Sequence, residues 1–300
     1  VTYVKGCAIR DVTMSNIPAA VEAAKASDVV VLVVGGSSAR DFKTKYIATG
    51  AATVSNEKDQ VLIDMDCGEG YDRSTLDLLG DQEKLMQALI ETGKPLVVVY
   101  IQGRTLKMNL AAEKANALLT AWYPGGEGGH GIADVLFGDY NPAGRLPVSI
   151  PRNEGQLPIY YSKGKQRDYM DGDANALYSF GYGLSYTKFE YSDLQIKPGN
   201  GKDVLQTVTC TVKNTGNCDG QEIVQLYIRD MVASVAQAPI LLKAFERITL
   251  KKGESKTVTF NLGKKELSIY NMNLEEVVEP GEFKVMVGAA SNDIRLNGKF

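Results

Sequence analysis

The sequence predicts two fold classes in succession, an α/β domain on a mostly parallel sheet and then an all-β sandwich. Two observations carry this. Up to about residue 185, β-branched runs that are apolar on both faces alternate with helical stripes, the pattern of strands covered on both sides. From about Phe189 the hydrophobic period falls to two, and turn residues separate short runs. The expected division is therefore residues 1–185 and 186–300.

In the first part, residues 1–4 read as a strand entered midway, so the sheet is expected to be truncated at its N-terminal side. Ser15 is placed to cap a helix through Ala19, Ala20, Val21, Ala23 and Ala24, with Pro18 tolerated in its first turn. The run at 29–34 is apolar on both faces and reads as a buried strand. Asp81 is placed to cap a second helix, whose Leu85, Met86, Leu89 and Ile90 form one stripe. Gly93 ends it, and Pro95 leads into a further buried strand at 96–101. A third unit runs from a strand at 117–123 through a glycine-rich turn at 125–131 into a helix at 132–137.

The second part reads as about seven short strands, the immunoglobulin-like pattern. Val208, Cys210 and Val212 alternate with threonines, and Val224, Leu226 and Ile228 alternate with Gln225 and Tyr227. Val258, Phe260 and Leu262 repeat the pattern, as do Phe283, Val285 and Val287. Asn214-Thr215-Gly216, Asp219-Gly220, Lys252-Gly253 and Pro280-Gly281 supply the turns.

Composition narrows the functional classes. Of 300 residues, 44% are hydrophobic and 23% charged, which excludes disorder and collagen-like structure. No apolar run approaches the ~20 residues of a membrane-spanning helix. The net charge is −3 with no block of one sign, so no sequence-wide field draws nucleic acid or an anionic membrane. Cys7, Cys67, Cys210 and Cys218 lack CxxC spacing and accompany a single histidine, which argues against a zinc site.

Chemistry is concentrated between the strand at 29–34 and Asp81. About 45 residues without clear periodicity point to functional loops, here beyond the carboxyl end of a strand, where open α/β sheets place ligands. Within them Glu69 stands between two glycines, which allow a tight turn that projects the carboxylate. A solvated turn glutamate is the alternative. Gly35-Gly36 lacks the spacing of a dinucleotide fingerprint, and the glycines at 125–129 lack the Lys-Ser/Thr of a P-loop. His130 is read as structural, since no GxSxG elbow accompanies it.

Gly68-Glu69-Gly70-Tyr71-Asp72-Arg73, followed by Leu76-Asp77-Leu78 and Asp81-Gln82, resembles the acid/base loop of family 3 glycoside hydrolases. Trp122-Tyr123-Pro124-Gly125 and the segment from Ile132 to Pro147 resemble the same family. So do Tyr178-Ser179-Phe180-Gly181-Tyr182-Gly183 and, at the end, Glu279-Pro280-Gly281-Glu282-Phe283 and Asp293-Ile294-Arg295-Leu296. The resemblance covers essentially the whole chain and is nearest to the β-glucosidase and β-xylosidase members. It implies an α/β sandwich domain followed by a fibronectin type III-like domain, both C-terminal to a (β/α)8 barrel that is missing here. It assigns the general acid/base to Glu69 and a place in the leaving-group subsite to Tyr71, for which a packed loop aromatic is the alternative. The nucleophile would come from the barrel, in a Ser-Asp-Trp segment absent from this sequence, whose one tryptophan is Trp122.

The implied activity is retaining hydrolysis of terminal, non-reducing β-D-glucosyl residues from a β-linked oligosaccharide or aryl glycoside. Neither cofactor nor metal is implied, and the implied location is periplasmic or extracellular. A β-xylosidase of the same family, or a non-catalytic carbohydrate-binding or scaffold protein lacking the barrel, are the alternatives.

Overall fold

The computed structural model describes residues 1–38, 48–49, 64–68, 71–164 and 166–300. Among them the chain forms two compact units, residues 1–133 with 151–157, and residues 134–150 with 158–300.

The first unit holds helix α1 (Ile17–Lys25), strand β1 (Val30–Gly35), helix α2 (Gln82–Ile90), strand β2 (Leu96–Ile101), helix α3 (Asn109–Lys114) and strand β3 (Ala117–Trp122). The three strands form a parallel sheet in the order β1-β2-β3, with Val30 opposite Leu96 and Val97 opposite Ala117. β2 lies in the middle and is buried on both faces, as its two-sided apolar pattern predicts. The stripe Leu85, Met86 and Leu89 turns α2 onto β1 and α1. Gly93 ends the α2 segment at φ +71, the left-handed conformation that glycine adopts without strain.

Three expectations are corrected in this unit. β1 is not covered on both faces: Leu32 and Val34 are buried, but Val31 and Val33 are 48% and 59% exposed. Among the described residues it is an edge strand, paired only with β2. Residues 1–4 form no strand, because no described strand hydrogen-bonds to them. The helix cap falls on Asn16 rather than Ser15, after a 3-10 turn at Val12–Met14. Asp81 does occupy the cap position of α2, but its carboxylate pairs with Lys84 at 2.8 Å instead of an amide, and that partner holds it below the usual carboxylate range.

Helix α4 (Gly128–Phe137) starts in the first unit and ends in the second. The rest of the second unit is antiparallel. Its strands are β4 (Phe189–Pro198), β5 (Gln206–Asn214), β6 (Gly220–Asp230), β7 (Leu241–Leu250) and β8 (Ser255–Leu262). A short helix α5 (Lys264–Leu267), a small hairpin of β9 (Ile269–Tyr270) and β10 (Glu276–Val277), and the strands β11 (Phe283–Ala290) and β12 (Asp293–Lys299) complete it. A four-stranded sheet, β12-β11-β6-β7, faces a three-stranded one, β4-β5-β8. These are the seven strands of the sequence pattern. Val208, Cys210 and Val212 meet Val224, Leu226, Ile228, Val258, Phe260, Val285 and Val287 in one core between the sheets.

The alternation in β6 is misleading on its other face. Gln225 and Tyr227 point away from that core, yet they are 3% and 0% exposed. Tyr161 and Gly181 contact them from outside the sheet. Tyr161 meets Tyr227 edge-on at 6.2 Å and stacks on Phe180 at 4.3 Å. Gln225 donates through Nε2 to the carbonyls of Gly181 and Ala289 and accepts from the Tyr227 hydroxyl at 2.5 Å. Compaction therefore groups residues 158–185 with the sandwich, whereas the change in periodicity falls after them.

Two substitutions separate a packed from an open face. Leu226→Ala, at 0% exposure, should cost about 2–5 kcal/mol of unfolding free energy through the cavity it leaves. Val33→Ser in the same chain should stay within ~0.5 kcal/mol. Chemical denaturation of both variants reads the contrast, and a large loss at Val33 would show that its face is covered.

Candidate functional site

The carboxyl end of the parallel sheet is built by close backbone approach. At Gly35, φ is +142, and a Cβ would lie 1.8 Å from the carbonyl oxygen of Ile101 on the neighbouring strand. At Gly36 a Cβ would lie 2.3 Å from a carboxylate oxygen of Asp66. The glycine pair therefore answers to packing, and no dinucleotide cradle is needed to explain it. Gln82, 3% exposed at the start of α2, accepts from the Gly35 amide at 2.8 Å and donates to the Gly35 carbonyl at 2.9 Å.

Asp66 sits where these elements converge. It is 4% exposed, and its Oδ1 accepts from the Ser37 amide at 2.7 Å while its Oδ2 pairs with Nη1 of Arg73 at 2.8 Å. The amide of Asp66 returns to the Ser37 carbonyl at 2.9 Å. Arg73 also donates through Nη2 to the carbonyl of Asp77. Both side chains of this ion pair are withdrawn from water, at 6% and 2% exposure. Farther along, Lys107 pairs with Asp77 at 2.6 Å, a contact that raises the ammonium above its usual range. The amide of Leu76 donates to Glu154 at 2.6 Å, and that bond lowers the Glu154 carboxyl. On the upstream side, Arg10 donates to the Met65 carbonyl at 2.9 Å.

Between these anchors Gly68 and Tyr71 form an isolated antiparallel bridge, closed by the Tyr71 amide on the Gly68 carbonyl at 3.1 Å. Glu69, the expected acid/base, and Gly70 lie outside the described residues, as do residues 39–42 of the loop after β1. Tyr71, the second expected site residue, is half-buried at the far side of the bridge. Cys67, on the other side, is buried with its Sγ 3.0 Å from the hydroxyl of Tyr123. Desolvation first, and the Cys67 contact second, push that phenol up. Trp122, which ends β3 just before it, holds φ +52, a conformation bulky residues rarely adopt.

The remaining candidates fall elsewhere. His130 lies on α4 with its side chain 86% exposed and pairs with Glu127 at 2.7 Å, which agrees with a surface role. Several residues that carry the resemblance brace the second unit instead. Asn141 accepts from the Ser185 hydroxyl and the Tyr186 amide at 3.0 and 2.8 Å and donates to the Asp219 carbonyl at 2.9 Å. Arg145 pairs with Glu222 at 2.7 Å in a buried bridge.

The comparisons with known proteins agree with this organisation. Residues 4–186 match the glycosyl hydrolase family 3 C-terminal domain. The chain belongs to glycoside hydrolase family 3. Residues 222–291 match a fibronectin type III-like domain. This family 3 chain is 43% identical to a β-xylosidase of Formosa agariphila, over 97% of its own length and 38% of the relative's. It is 39% identical to a periplasmic β-glucosidase of Salmonella typhimurium, over 92% and 34%. Among solved structures, a β-glucosidase from Erythrobacter marinus superposes with a TM-score of 0.85 at 36% identity, covering 100% of this chain and 40% of that one. A β-glucosidase from Listeria innocua in complex with glucose gives 0.80 at 34% identity, covering 97% and 39%. The family 3 chain thus spans about two fifths of the proteins it resembles.

The sequence reading drew on Arg73 only as part of the motif around Glu69 and did not single out Asp66. The signal was present: opposite charges stand on either side of the Gly68-Glu69-Gly70 segment, close enough in sequence to pair. Arg73→Met would leave Asp66 buried without its cation and should cost about 3–5 kcal/mol. Asp66→Asn should cost less, since the amide oxygen still accepts from Ser37. Urea denaturation of the two variants gives the order, and the reverse order would show that the pair is not the anchor.

Proposed function

We propose that this chain is the C-terminal part of a retaining, exo-acting β-glycosidase that removes terminal non-reducing β-D-glucosyl residues. In this reading Glu69 is the general acid/base and Tyr71 lines the leaving-group subsite. The observation that carries the reading is the Gly68–Tyr71 bridge, held beyond the carboxyl end of β1 by the Asp66–Arg73 pair. The resemblance to the family's acid/base loop falls on the same residues. The relatives, a β-xylosidase and a β-glucosidase, supply the substrate class.

The chemistry follows from two carboxylates about 5–5.5 Å apart on opposite sides of the anomeric carbon. Glu69 gives its proton to the departing glycosidic oxygen while a carboxylate from the barrel domain attacks the anomeric carbon. Glu69, now ionised, takes a proton from the water that cleaves the glycosyl-enzyme. Export to a periplasm or beyond the cell belongs to the same reading. A xylosyl glycone is the second reading, favoured by the 43% identity to a β-xylosidase against 39% to a β-glucosidase. A panel of aryl β-glycosides on the full-length protein decides between them.

Nucleophile and acid act as a unit. The isolated 300-residue chain is therefore expected to release no nitrophenol from nitrophenyl β-glucoside or β-xyloside above the buffer rate. Steady turnover by the purified chain would place both carboxylates within it.

Glu69→Ala in the full-length protein tests the role directly. Nitrophenolate leaves without a proton, so its departure should survive, while alkyl glycosides should slow by about 10²–10⁴-fold. The glycosyl-enzyme should then accumulate for want of a base, and azide, which needs none, should restore turnover and leave a β-glycosyl azide. Equal slowing of all substrates without azide rescue would make Glu69 a turn residue.

A further inference from the structure

The second unit contains a cavity that the glycosidase reading leaves without a role. It lies on the sandwich where the end of β6 and the start of β7 meet α5 and β9, and it has a volume of about 230 Å³. Ligand sites for drug-sized molecules run to about 300–1,000 Å³, so this one suits a single small ring. Phe283 contributes to an apolar floor, and Asp230, Gln237, Lys243, Glu266 and Tyr270 bring polar and aromatic groups to the wall.

The charged groups on that wall keep bonding capacity to spare. Lys243 is half-buried and has neither a hydrogen bond nor an ion pair among the described residues. Partial removal from water pushes its ammonium below the usual lysine range, with Glu266 opposing the shift. Glu266 uses Oε2 to accept from the Gly263 amide at 2.9 Å, and Asp230 uses Oδ1 to accept from Val232 at 3.2 Å. Each carboxylate keeps a second oxygen for another donor. Tyr270, 66% exposed, stands at the edge of the cavity.

Charge selects the class of occupant. Two carboxylates repel an anion, and Lys243 repels a cation. A vicinal diol satisfies all of them, because each hydroxyl donates to a carboxylate and accepts from an ammonium or an amide. The exposed tyrosine face offers a flat apolar surface to the C–H groups of a ring. From this arrangement we infer that the cavity is a second, non-catalytic sugar site that takes one neutral pyranose. The choice of pyranose over another polyol rests on the glycosidase reading, whereas the cavity, its lysine and the second carboxylate oxygens do not.

Lys243 itself reports occupancy. The full-length protein is labelled with acetic anhydride, with and without glucose or xylose, and modification of each lysine is followed by peptide mass spectrometry. At a sugar concentration ~10 times Kd the free fraction of a site is about one in eleven, so labelling of Lys243 should fall about tenfold. Exposed lysines such as Lys84 should label unchanged. Tyr270→Ala, a substitution of an exposed residue, should remove the protection. No protection of Lys243, equal protection of every lysine, or protection by inorganic phosphate but by neither sugar overturns the inference. The readout needs no turnover, so its failure is distinct from any failure of Glu69 as acid/base.

Discussion

The buried ion pair between Asp66 and Arg73 is the constraint on which the carboxyl end of the parallel sheet depends. Two charges at 2% and 6% exposure are held there only because each is also hydrogen-bonded to backbone, Asp66 by Ser37 and Arg73 by Asp77. Desolvation offsets much of the attraction in such a pair, so its effect lies chiefly in geometry. The carboxylate has room only because residue 36 has no side chain. The chain before Gly68 and the chain after Tyr71 then converge, and Gly68 and Tyr71 bridge.

The residues that mark the family divide between chemistry and construction. Asn141, Arg145 and Gly181 stand in motifs as recognisable as the one around Glu69, yet their contacts are structural. Asn141 joins the turn at Asp219 to the chain at Ser185 and Tyr186. Arg145 meets Glu222 at the margin of the sandwich core. At Gly181, φ is +81 and a Cβ would lie 2.2 Å from the Gln225 side-chain oxygen. A motif thus marks a position that tolerates little change, and only the surroundings say whether the reason is a reaction or a close contact.

Periodicity in the sequence determined the two fold classes, the three parallel strands and the seven strands of the sandwich, because local hydrophobic spacing dictates how each element buries a face. It also singled out the loop that carries Glu69, since a glycine on either side of a carboxylate is a local signal. Tertiary structure alone decided which faces are covered. Val31 and Val33 look like core residues but lie on an edge strand, and Gln225 and Tyr227 look like surface residues but lie beneath Tyr161 and residues near Gly181. The partner that Asp66 finds in the Ser37 amide was likewise settled by an element distant in sequence. Burial and pairing are properties of what packs against a residue, and a pattern of period two or 3.6 records only which residues share a face.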